Sequence, residues 1–110
     1  MRSNQIVATE CPTYQIDIFI AGSRAAAIEA CREFCLEGLC VSIAEADYVY
    51  TGGMESGVRV GLINYPRFPT DEATLGDTAD RLARFLIDRL HQSSCTVVGP
   101  DVTKFLSRRG

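Results

Sequence analysis

The chain has no tryptophan, one histidine (His91) and one lysine (Lys104) among its 110 residues. A single histidine rules out the His-Glu-x-x-His metal motif, and no Gly-x-Gly-x-x-Gly, Walker A or Gly-x-Ser-x-Gly run occurs either. No apolar stretch approaches the roughly 18 residues that a membrane-crossing helix needs. The opening residues 1–10 carry no apolar segment of the kind a secretory signal requires, which implies a cytoplasmic protein. Positive charge is not in excess. The formal net charge is −3, which argues against a general binder of nucleic acid or of an anionic membrane. A disulfide framework is missing too. The five cysteines are odd in number and irregularly spaced, as reduced thiols in a cytosol would be.

What is present is ordinary globular composition, 46% hydrophobic and 23% charged, in a length that fits one domain over residues 1–110. Residues 1–13 read as a loose lead-in with a short edge strand at Ile6, Val7 and Ala8, and 107–110 as a basic, frayed tail. Over 14–21, Ile16, Ile18 and Ile20 alternate with Gln15, Asp17 and Phe19, the pattern of a strand. Ser23 is placed to cap a helix over 24–37, where Ala27, Ile28, Cys31, Phe34 and Cys35 recur at helical spacing. Gly38 suits its left-handed end. A second strand over 39–50 loses its alternation across 44–47, which predicts a bulge or a bend. The glycine-rich stretch 51–57 reads as a hairpin loop and 58–65 as a third strand, with Val58, Val60 and Leu62 on one face.

Thr70 is an N-cap candidate for a long helix reaching His91, with Leu75, Ala79, Leu82, Leu86 and Leu90 as its apolar stripe. Asp77 with Arg81 and Asp80 with Arg84 form acid-before-base pairs along it. A fourth strand covers 95–98, and 102–106 is one more short strand or a packed tail. The order is β-α-β-β-α-β. It predicts an α+β, ferredoxin-like sandwich with an antiparallel four-stranded sheet in the order 4-1-3-2 and two helices on one face.

This topology gathers two groups of polar residues. At one end of the sheet Ser23 and Arg24 open the first helix and His91 closes the second, a candidate anion site. Plain capping explains the same residues. At the other end, Asn64, Tyr65, Arg67 and Phe68 lie in a loop stiffened by Pro66 and Pro69, a candidate site for a ligand or partner. Tyr48 and Tyr50 mark an aromatic edge, and Tyr14 or Gln15, Asp17, Phe19, Arg59 and Ile63 fall on one sheet face or the other. An open face carrying Phe19 and Ile63 needs a cover, which a homo-oligomer supplies. Cys31, Cys35, Cys40 and His91 do not have metal-knuckle spacing, so no metal and no cofactor is expected.

Residues 40–65 as strand, hairpin and strand, followed by Arg67-Phe68-Pro69 and a helix, resemble the layout of the CutA proteins and of the PII signalling proteins. The resemblance covers the element order over about residues 14–98. It implies a trimer that buries sheet edges, with small molecules or ions bound between subunits. The tryptophan of CutA and the phosphate-binding signature of PII are missing here, so no functional residue carries over. Residues 48–69 also resemble a small uncharacterised bacterial protein family. Together these readings predict a non-enzymatic module that binds a small anionic ligand or a protein partner as a homo-oligomer. The alternatives are a small enzyme with its active site at a subunit interface, using His91 or a tyrosine, or a mobile-element accessory protein.

Overall fold

A computed structural model describes residues 5–109. Its elements are β1 (Gln15–Ala21), α1 (Arg24–Phe34) with a short 3-10 turn (Cys35–Glu37), β2 (Ser42–Tyr50), β3 (Gly53–Ile63), α2 (Glu72–Arg89), β4 (Ser94–Val98) and β5 (Thr103–Ser107). All pairings in the one sheet are antiparallel, in the order β2-β3-β1-β4-β5. The described residues are therefore α+β, with five strands and two α-helices. The four-stranded sheet expected from the sequence is corrected: β5 adds an edge beyond β4, because Gly99 turns the chain back through a hydrogen bond from its N–H to the Val102 carbonyl (2.8 Å).

Both helices cover one face. Ile16, Ile18 and Ile20 of β1, Val58, Val60 and Leu62 of β3, and Cys95 and Val97 of β4 form one core with Ala27, Ala30 and Cys31 of α1 and the α2 stripe Leu75, Ala79, Leu82, Leu86 and Leu90. Each large side chain buried here stabilises the fold by about 1.5–3 kcal/mol. Ser23 caps α1 by accepting from the Ala26 N–H (3.3 Å). Gly38 ends the following turn at φ 101°, as its position in the sequence implied. The cap of α2 is Asp71 rather than Thr70, with its carboxylate accepting from the Thr74 N–H (2.7 Å). That backbone hydrogen bond and the Thr74 hydroxyl hold the Asp71 carboxyl below its ordinary range.

Several boundaries differ from expectation for a common reason. β2 and β3 pair without interruption from Ser42↔Gly61 to Tyr50↔Gly53, so the bulge at 44–47 is absent and the loop over 51–57 shrinks to a turn at Thr51 and Gly52. β1 pairs with β3 only as far as Ala21↔Gly57. Beyond that point the hairpin is a two-stranded arm with no helix beneath it, so neither face is selected for burial and the alternation fades. No strand forms at Ile6, Val7 and Ala8. The tail is not frayed through Arg108: its N–H bonds the Ser93 carbonyl (2.8 Å) and its guanidinium reaches Asp88 (3.2 Å). Arg84 pairs with Asp80 as expected, whereas Arg81 turns across the helices to Glu37 and also lies over the Phe34 ring. Residues 1–4 and 110, parts of the lead-in and tail, fall outside the described residues.

Candidate functional site

Strand register decides what the open face carries. Side chains alternate, so the face opposite the helices receives the odd-numbered residues of β1 and β3. One row across the sheet runs Ala44, Arg59, Phe19, Thr96 and Phe105. The neighbouring row toward the arm holds Ala46, Gly57 and Ala21, and past it stand Tyr48 and Glu55. Gly57 contributes no side chain, and the Tyr48 ring fills the gap. A Cβ at position 57 would lie 2.6 Å from that ring and 2.4 Å from the Ile20 carbonyl oxygen. The Tyr48 hydroxyl donates to the Val58 carbonyl, and the ring meets Phe19 edge-on at 6.4 Å between centroids.

Of these residues Phe19, Ala21, Tyr48, Glu55, Thr96 and Phe105 line a cleft of about 270 Å³ with Gln92, Ser93, Ser94 and Cys95 at the end of α2 and the start of β4, and Arg59 stands beside it, next to Phe19. The cleft joins an aromatic wall of Phe19, Tyr48 and Phe105 to one carboxylate, Glu55. Burial pushes the Tyr48 phenol above its ordinary value, opposed in part by a backbone hydrogen bond and by the Arg59 charge. The Cys95 thiol is pushed up to about 11 by burial, so it stays protonated at neutral pH. Such a lining suits an organic cation with a flat, apolar body: ring faces attract positive charge and the carboxylate pairs with it. Among the described residues, no group of three or more metal-ligating side chains is assembled.

The structure disperses the residues singled out from the sequence. Asn64 is 5% exposed and its side chain is used within the fold, donating to the Pro12 carbonyl and accepting from the Thr70 N–H (both 2.8 Å). Tyr65 and Phe68 stack on each other at 5.2 Å and line a separate cleft of about 150 Å³ with Leu75 and Thr78. A hydrogen bond with the Cys40 thiol, together with burial, holds the Tyr65 phenol above its ordinary value. Arg67 is exposed. At the opposite end, Gly22 lies against Leu90, which brings the two helix termini together. Ser23 caps its own helix, Arg24 is exposed, and His91 takes the positive φ of 56° where α2 stops. Thr96, Phe105 and Gln92 were not legible as site residues. Phe105 enters the cleft because β5 folds back onto β4, and Thr96 because β4 pairs with β1 beside Phe19.

The fold and cleft define a small α+β protein with a ligand-sized recess on its open sheet face. No family model and no curated protein matches the chain. Two solved structures are similar in fold. A phage SAM lyase in its apo state aligns over 88% of this chain and 90% of its own, with a TM-score of 0.70 and 15% identity. A phage SAM lyase in complex with S-methyl-5'-thioadenosine aligns over 96% and 98%, with a TM-score of 0.65 and 10% identity. Both are enzymes. The solved structures that share this fold are lyases, which corrects the expectation of a non-enzymatic binding module. No helix among the described residues is long and apolar enough to cross a membrane.

Proposed function

We propose that this chain is a lyase acting on S-adenosylmethionine and releasing S-methyl-5'-thioadenosine. The observation that carries the reading is a coincidence. The shared architecture extends over nearly the whole chain, and the recess on its open face is lined as a sulfonium substrate requires. Phe19, Tyr48 and Phe105 face the thioadenosine body and its positive sulfur, and Glu55 pairs with the cationic end. A bond from sulfur to the four-carbon chain breaks, its electron pair stays on sulfur, and a neutral thioether leaves. The remaining fragment completes its valence by closing on its own carboxylate oxygen as a lactone, or by giving up a β proton to solvent water. Positive charge on sulfur disappears along this path, so excluding water from the recess favours the step.

The cleft is open on one side. Phe105 (67% exposed), Val98 and Ile63 stand exposed on the same face, and Val49, Tyr50 and Met54 stand exposed on the arm. A second copy covering this surface would close the recess, which supports the homo-oligomer implied by the CutA and PII layout. Free thiols at all five cysteines accord with a cytoplasmic setting. The test is to incubate the purified protein with S-adenosylmethionine and follow S-methyl-5'-thioadenosine by chromatography. Production above the buffer rate is expected, reduced at least tenfold in Glu55→Gln. Production no faster than buffer alone refutes the reading.

A further inference from the structure

Four arginines are committed to ion pairs. Arg81, Arg84, Arg89 and Arg108 each hold a carboxylate, on Glu37, Asp80, Glu33 and Asp88 respectively. Arg59 is different. It sits in the middle of the open face, directly opposite Phe19 in the β1–β3 register, in the same row as Thr96 and Phe105 of the cleft. It is exposed and makes no hydrogen bond or ion pair among the described residues. On its own strand it is flanked on this face by Gly57, overlaid by the Tyr48 ring, and by Gly61, over which the Ser42 hydroxyl and the Asp17 carboxylate lie. Neither glycine adds a side chain of its own beside the guanidinium. Glu55 stands four residues away on the same strand and face, about 13 Å at the usual rise. Glu55 and Arg59 thus stand at opposite ends of an aromatic stretch of this face, with a second carboxylate, Asp17, in the row next to Arg59.

We propose that Arg59 is the specificity-determining residue that takes the α-carboxylate of the amino-acid end of the substrate. The inference rests on the lyase reading and adds what that reading leaves open: how the site tells S-adenosylmethionine from its own thioether product. Substrate and product share the adenosine and the sulfur, and only the substrate carries a carboxylate. A guanidinium offers that group a planar fork of N–H donors. A site that anchors the carboxylate through Arg59 holds the substrate and lets S-methyl-5'-thioadenosine go once the carbon–sulfur bond has broken.

Calorimetric titration with two non-reacting probes tests this. S-adenosylhomocysteine carries the carboxylate, and S-methyl-5'-thioadenosine does not. Arg59→Gln is expected to weaken S-adenosylhomocysteine binding about 10- to 100-fold, the span for loss of a charged hydrogen bond. Its affinity for S-methyl-5'-thioadenosine stays within twofold of wild type, and Arg59→Lys recovers part of the loss. Equal weakening of both probes, or no change for either, overturns the assignment while the lyase reading stands. A wild-type protein that binds neither probe overturns the lyase reading itself, and this inference with it.

Discussion

Replacing Asn64 separates a scaffold residue from a ligand contact. Its amide is the hub of the loop after β3, joining the Pro12 carbonyl to the Thr70 N–H through two bonds of 2.8 Å. The backbone at the same residue adds a bond from its N–H to the Tyr14 carbonyl (3.1 Å). Asn64→Ala keeps that backbone bond and removes both amide bonds. Each is worth about 0.5–1.5 kcal/mol, and a partner left unsatisfied adds to the loss. The expected destabilisation is about 2 kcal/mol, which for a domain near this size lowers the melting midpoint by about 8–16 °C. The assay is thermal and urea unfolding followed by circular dichroism, run beside Arg67→Ala from the same loop. Arg67 is exposed, so its replacement should stay within about 0.5 kcal/mol of wild type. An Asn64→Ala protein as stable as wild type would refute the hub, and an equal loss in Arg67→Ala would show that the loop is held by other contacts.

Two further outcomes follow from the packing. Gly57→Ala is expected to destabilise by about 1–3 kcal/mol and to displace the Tyr48 ring, since its Cβ would stand 2.4 Å from the Ile20 carbonyl oxygen. Gly76→Ala, where nothing lies within 4 Å of the new Cβ, should stabilise α2 by nearly 1 kcal/mol, and parallel urea curves would expose a reversal of either sign. The Cys31 and Cys95 thiols are pushed up by burial from an ordinary 9.0 to about 11. The folded state keeps these protons while the unfolded chain releases them near pH 9, so stability is flat up to about pH 9 and falls as the pH rises to 11. Unfolding midpoints that hold steady through pH 11 would contradict this.

How much was legible in the residues depends on what each segment packs against. Ile16, Ile18 and Ile20 alternate because β1 is central with helices on one side only, and the α2 stripe repeats every three to four residues because one face of that helix is buried. These patterns gave the strand and helix order and the buried face. The outer half of the β2–β3 hairpin packs against no helix, so its strand extended five residues further than its pattern indicated, from Val58 back to Gly53. β5 is five residues long, with only Leu106 and Ser107 part-buried, too weak a pattern to distinguish a strand from a packed tail.

The site shows the same division. Tyr48, Phe19 and Arg59 were visible as residues of interest, and the stiff loop over 64–69 drew attention for its composition alone. The order of residues along the chain determined the secondary elements and the core, because burial is imposed on near neighbours through the helical and extended repeats. Only the tertiary structure decided that Phe105, 57 residues beyond Tyr48, shares a cleft with it, and that Asn64 spends its amide inside the fold. Register between strands is settled by the packing of the whole sheet against its helices, and no local repeat records it.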